Sequence, residues 1–205
     1  MLKKVVLLCV SVGAAFAMHS VDLNINDKDL EFGARVDVGQ ITSSVEPDTV
    51  FLGGRYLKGD ESHSDFNRNN NAFYEGNFLV QKQDVYTTGL TLGMGVKFNY
   101  TKADIAGSRR TFTTVPVGIE FDYMLPLDSA VPLYIGGSLY YAPGVLSMND
   151  AKRFFEDRIN LDIEIIENAR ATIGYRSIDT TYDINGNEVS RNYNSSVYVG
   201  VKFKF

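Results

Sequence analysis

The chain has 205 residues, with 20 Lys and Arg against 25 Asp and Glu, one cysteine and no tryptophan. A formal net charge of −5 argues against a nucleic-acid partner, which needs a basic face, and the length suits a single domain. The 13 Phe and 12 Tyr, spread over short runs broken by Asn, Gly and Asp, point to an all-β protein.

The first element is a leader. Lys3-Lys4 precede an apolar run from Val5 to Phe16 that ends in Ala15-Phe16-Ala17. A charged start, a short apolar stretch and a small-x-small site read as a secretory signal peptide over residues 1–17, leaving 18–205 as one domain. The run is too short for a spanning helix, which needs roughly 20 residues, and no later stretch is apolar enough for one. Cys9 lies too early in this run to be a lipoprotein cysteine. The exported chain then has no cysteine, which removes disulfides, thiol catalysis and cysteine metal sites together. No cofactor or metal is expected.

Period-two alternation then predicts ten strands, at residues 21–26, 30–42, 50–58, 72–81, 88–100, 113–125, 133–141, 158–166, 170–179 and 193–205, with eight strands as the alternative. In each strand one parity is apolar and free of charge but for Lys58 and Asp179 at strand ends, as in Leu90/Leu92/Met94/Val96/Phe98 and Ile159/Leu161/Ile163/Ile165. The other parity carries the charges: Glu31, Arg35, Asp37, Arg55, Glu75, Lys97, Glu120, Asp122, Arg158, Asp162, Glu164, Arg170, Arg176, Lys202 and Lys204. It also carries Gly33, Gly39, Gly53, Gly93, Gly95, Gly118, Gly136, Gly174 and Gly200. Glycine weakens a strand unless something must approach it closely. A crowded interior needs that and a solvated outer face does not. The apolar parity therefore faces outward to lipid and the polar parity lines a lumen. The rival is a soluble periplasmic ligand-binding barrel, which alternates with the opposite sense.

The connections differ by side. With the N-terminus in the periplasm, that side has short turns at 43–49, 82–87, 126–132 and 167–169. The other side has longer polar stretches at 59–71, 101–112, 142–157 and 180–192, with a short one at 27–29. Short periplasmic turns and long outer loops are the habit of outer-membrane barrels. Within the longer stretches, residues 149–157 read either as a short helix on the rim or as the upper part of a strand.

The last strand alternates through Val197, Val199, Val201, Phe203 and Phe205, and the final residue is aromatic. It resembles the closing strand by which bacterial outer-membrane barrels are recognised for assembly, with Val201, Phe203 and Phe205 as the signal. Val21-Asp22-Leu23-Asn24-Ile25-Asn26-Asp27 resembles the opening of the YfaZ family of outer-membrane proteins. So does the run from Leu133 through Tyr141-Ala142-Pro143-Gly144 to Ser147, followed by Asp150-Ala151-Lys152-Arg153-Phe154, by Asn168-Ala169-Arg170 through Arg176, and by Val199-Gly200-Val201-Lys202-Phe203. The resemblance implies an outer-membrane barrel and implies no particular activity. Its partners would be outer-membrane lipid, lipopolysaccharide and the assembly machinery of that membrane.

Signals of chemistry are few. His63 lies between serines and acids in residues 59–65, yet neighbours along a polar loop lack the orienting acid and oxyanion site of a triad. His19, at the start of the exported chain, is an equally poor base. Asp183-Ile184-Asn185-Gly186-Asn187-Glu188 misses the calcium-loop spacing, and Asn-Gly between strands is a hairpin turn. Arg109-Arg110, with Lys102, can meet lipopolysaccharide phosphate, although a solvated charge pair is the simpler reading. The chain therefore reads as a non-enzyme, with an outer-membrane enzyme working through its outer loops as the alternative.

The informative constellation is the inward charge set Arg35, Asp37, Arg55, Glu75, Lys97, Glu120, Asp122, Asp162, Glu164, Arg170 and Arg176. Ion pairs across a small barrel would close it from within. Glu120 and Asp122 on the sixth strand, and Asp162 and Glu164 on the eighth, are expected to pair with Lys97, Arg170 and Arg176. The function expected is structural or passive, in a monomer. A closed, charge-paired lumen is the default and a narrow pore for small solutes the variant.

Overall fold

The structure, a computed structural model, describes residues 18–26, 29–58, 72–105, 108–127 and 131–205, with the backbone alone at Met18, His19 and Asp104. The leader read at 1–17 and the loop 59–71 that holds His63 lie outside the described residues.

The strands are β1 (Met18–Ile25), β2 (Leu30–Asp37), β3 (Val50–Lys58), β4 (Ala72–Lys82), β5 (Leu90–Ile105), β6 (Ser108–Thr114), β7 (Val117–Met124), β8 (Leu133–Ala142), β9 (Ser147–Asn149), β10 (Ala151–Ile166), β11 (Ala169–Ile184) and β12 (Asn187–Lys204). Each pairs antiparallel with its neighbours, β4 pairs with β5, and β1 pairs with β12. The sheet is therefore closed. β6 and β7 are two lengths of one wall strand, interrupted at Val115-Pro116, because a proline supplies no ladder N–H. β8 and β9 are likewise one wall strand, interrupted by Pro143 and a 3₁₀ turn at Gly144–Leu146. The barrel thus has ten strands, and the eight-strand alternative is excluded.

Both faces follow the alternation. Outward residues such as Met94, Ile119, Ile159 and Val199 are exposed, and inward Glu31, Lys97, Glu156 and Arg176 are buried. The inward glycines make room for aromatic rings. A Cβ on Gly95 would collide with the Tyr140 hydroxyl, one on Gly118 would stand 2.6 Å from the Tyr140 ring, and one on Gly174 would meet Tyr198 at 2.6 Å. Tyr140 and Tyr198 lie against the wall only because those positions lack side chains.

The strand ends depart from the pattern in instructive ways. The second strand stops at Asp37, not Thr42, because Asp37 accepts a hydrogen bond from the Gly39 N–H (2.9 Å) and starts the helical turn α1 (Val38–Ile41). Most of the stretches 101–112, 142–157 and 180–192 are not loops. They are the upper reaches of β5, β6, β9, β10, β11 and β12. Residues 149–157 hold no helix; they form the end of β9, a turn at Asp150 and the first part of β10. The hairpin at Asn185-Gly186 is as expected, with φ of 55° and 84° and the Asp183 carboxylate accepting from the Gly186 N–H (2.9 Å).

The raised walls enclose a core. Leu57, Phe73, Phe112, Phe154, Ile178 and Tyr182 are fully buried and pack together inside the end of the barrel remote from the termini. Phe154 stands 6.0 Å from Phe73 and 6.2 Å from Phe112, ring centre to ring centre. Phe154→Ala should cost about 3–5 kcal/mol of unfolding free energy, measured by urea titration of the folded barrel. Phe155→Ala, the next residue along but on the outer face, should cost much less.

Candidate functional site: the charged lumen

Alternation places a side chain inside but does not choose its partner. Below the apolar cluster, the inward positions of β2, β3, β4, β5, β10 and β11 meet in a belt of ion pairs. Glu31 is wholly buried and accepts from four donors: both Nη atoms of Arg158 (2.8 Å each), Arg176 Nη1 (2.6 Å) and Asn24 Nδ2 (2.8 Å). Arg55 lies beside Glu75 and reaches Glu156 Oε1 at 2.6 Å. β3 and β10 are the third and eighth of ten wall strands, so this pair spans the lumen. Lys97 Nζ sits between Glu156 (2.9 Å) and Glu75 (3.3 Å). Arg176 also donates through Nε to Asn194 Oδ1 (2.9 Å) and lies 3.6 Å from Asp29.

A second tier lies nearer the termini. Arg35 and Glu120 form a two-point pair at 2.9 Å, and the Tyr140 hydroxyl donates to the same carboxylate (2.8 Å). Lys97 Nζ rests 3.9 Å from the centre of the Tyr140 ring, tying the two tiers together. Arg170 pairs with Asp122 (3.0 Å), stacks 3.3 Å from the Tyr134 ring centre, and lies 4.0 Å from both Asp162 and Glu164. Asp162 accepts from Lys202 (3.0 Å), and Glu164 accepts from the Tyr134 hydroxyl (2.8 Å).

Below the belt the lumen widens into a cavity of about 500 Å³. Its lining runs from Arg55, Lys97 and Arg158 to Gln40, Asp48 and Gln83 in the turns at the terminal end. The interior is therefore layered into an apolar cluster, a belt of buried charge and a polar chamber toward the termini. Among the described residues no group of His, Cys, Asp and Glu is placed to hold a metal ion.

Of the residues singled out from sequence, Arg55, Glu75, Lys97 and Arg176 lie in the belt, and Arg35, Glu120, Asp122, Asp162, Glu164 and Arg170 in the second tier. Asp37 stands apart, because its carboxylate is committed to the Gly39 and Asp48 N–H groups (2.9 and 2.7 Å). The expected pairing is corrected in part. Arg170 does serve Asp122, but Lys97 serves Glu75 and Glu156, Arg176 serves Glu31, and Glu120 is taken by Arg35. The lumen is narrow, so long side chains find partners across it and not only on the next strand. Glu156 is not among the residues singled out from sequence, because it falls in the stretch 142–157, where the turn signals point to a loop. Its signal is that Phe154/Glu156/Arg158 continue the two-residue period upward. Val201 and Phe203 point outward on the closing strand, where they pair with Leu23 and Val21 of β1, and Phe205 follows the strand's last residue, exposed and among the residues at the mouth of the chamber.

The YfaZ precursor family model matches residues 5–205. The chain belongs to that family. The match takes in every strand of the barrel and all the residues of both charge tiers. No curated protein matches the chain.

Removing one partner of a buried pair leaves the other charge uncompensated and costs about 3–5 kcal/mol. Glu31→Ala, which strands Arg158 and Arg176, should lose at least that much in urea unfolding. Glu164→Ala, whose carboxylate is partly exposed and lies 4.0 Å from Arg170, should lose far less.

Proposed function

We propose that the protein is a monomeric outer-membrane barrel of structural, passive role, with a lumen closed to steady flow. The observation that carries this is the inverted distribution of polarity. The ring of strands is apolar outside and charged inside, with Met94 72%, Ile119 54% and Val199 51% exposed while Glu31 and Glu156 are fully buried. A soluble ligand-binding barrel needs the reverse, and an apolar surface that circles a whole domain is an association hazard in water. Lipid satisfies that surface, and a closed barrel leaves no unpaired edge in the hydrocarbon.

Aromatic residues support the same placement. Tyr56, Tyr74, Tyr100 and Tyr141 stand on the outer face at the level of the belt's upper edge, and Phe203 near the terminal end, as the girdles of a membrane barrel do. Met18 and Phe205, the two ends of the described chain, lie at one end of the barrel, which we assign to the periplasm, with the 1–17 leader directing export and the closing strand offered to the assembly machinery. The chamber then faces the periplasm and the apolar cluster faces outward. The non-enzymatic reading is supported by the commitment of the buried lumen acids and bases to one another.

Planar-bilayer recording of the refolded protein tests this reading. The wild type should show no steady conductance, and a stable large pore would replace this reading with a channel. The quadruple alanine variant of Glu120, Asp122, Asp162 and Glu164 should widen the chamber yet remain closed, because the belt and the apolar cluster lie beyond it. Placement in lipid is tested separately. Val117→Arg or Leu92→Arg, on the outer face, should lower refolding stability in vesicles by about 2–4 kcal/mol, whereas Leu127→Arg, in a turn at the terminal end, should change it little.

A further inference from the structure

The outer rim is not uniform around the ring. On one side, β3, β4 and β5 place Tyr56, Tyr74 and Tyr100 in a single register row on the outer face. Their ring centres are 5.4 and 6.5 Å apart, so the row is continuous. One step further from the termini, on the same outward parity, stand Lys58 on β3 and Lys102 on β5. Ala72 of β4 lies between them and pairs with Lys58. Arg109 follows on β6, exposed, with its backbone opposite Asp104. Strands about 4.8 Å apart set Lys58 and Lys102 roughly 10 Å from each other.

Among the described residues, neither lysine has a carboxylate within ion-pair distance. Lys102 Nζ lies 5.8 Å from the Tyr100 ring centre, just above the tyrosine row. The other side of the ring is different. Lys152 faces Asp183 at 3.8 Å and Arg153 faces Glu188 at 3.9 Å, so the rim charge there is neutralised within the protein. Among the described rim residues, the unpaired cations are therefore confined to the side that carries the tyrosine row.

We propose that Lys58 and Lys102, with the Tyr56–Tyr74–Tyr100 row beneath them, form a docking surface for the phosphate groups of a phosphorylated glycolipid of the outer leaflet. The inference rests on the membrane placement above. Acyl chains lie along the apolar wall of Leu52, Phe78, Val96 and Phe98, exposed below the tyrosines. The phosphates of such a lipid then stand at the level of the lysines, where ammonium groups meet them as point charges. Tyrosine suits the boundary between the two, with an apolar body and a polar tip. Arg109, on the next wall strand, stands at the edge of this surface.

Native mass spectrometry of the folded barrel in dodecyl maltoside tests this, with bisphosphorylated lipid A and its fully dephosphorylated form as probes. With two surface lysines facing the phosphates of an anionic lipid, the wild type should favour the phosphorylated form by about tenfold or more. Lys58→Ser/Lys102→Ser should reduce that preference to within about twofold, and Lys152→Ser/Arg153→Ser should keep it. Rising salt should weaken the wild-type preference, since these charges are exposed. Equal binding of the two probes by the wild type overturns the proposal, as does an equal loss in both double variants. A barrel that inserts into vesicles but shows no phosphate preference sinks this inference and leaves the membrane reading standing. A wild type that fails to insert into vesicles removes both.

Discussion

The structure depends on one constraint: charges inside a ten-strand ring have nowhere to go but to each other. A side chain buried in the wall of a wider barrel meets water. Here Glu31 meets two guanidinium groups and an amide, and Arg55 reaches a carboxylate on the far wall. An unpaired ion in that space would be costly, so the acids and bases come in nearly equal number and at matching heights. The glycines are part of the same solution. Tyr140 must lie flat to meet Glu120 with its hydroxyl and Lys97 with its ring, and Gly95 and Gly118 are the floor it lies on.

What the sequence makes legible follows from how a strand works. The period of two assigns a face to each residue along the body of a strand, and it fails only where a bulge resets it, as at Tyr193, whose ring turns into the apolar cluster. Strand number and closure followed, because each alternating run had a mate. Partners could not be read in the same way. Facing the lumen gives a direction but not a height or an angle around the axis, and Arg35 finds Glu120 across 85 residues of chain. The upper walls were hidden for a different reason. Pro143-Gly144 and Asn149-Asp150 are strong turn signals, and they do mark turns, but short ones inside a continuing wall.

The layering also assigns different physics to the two ends. The apolar cluster of Phe73, Phe112, Phe154 and Tyr182 is an ordinary hydrophobic core that happens to be walled by a barrel. The chamber at the terminal end has no such filling, and its lining is polar and charged. The belt between them is the boundary, satisfied by pairing on one side and facing solvent-sized space on the other. A barrel built this way holds its shape from a core at one end and a wheel of ion pairs at its waist.

The seam between the first and last strands differs from the others. β11 and β12 run together from Ala169 and Phe203 up to Ile184 and Asn187, a hairpin whose halves are neighbours in sequence. β1 meets β12 only from Ser20 opposite Lys204 to Ile25 opposite Val199, and these residues are separated by almost the whole chain. Joining distant ends carries the largest loop-closure cost and here gains the shortest ladder. The nine other strand junctions are local and can zip as hairpins, whereas this one waits for all of them. The ring therefore has a built-in order of assembly, with β1 as its latch.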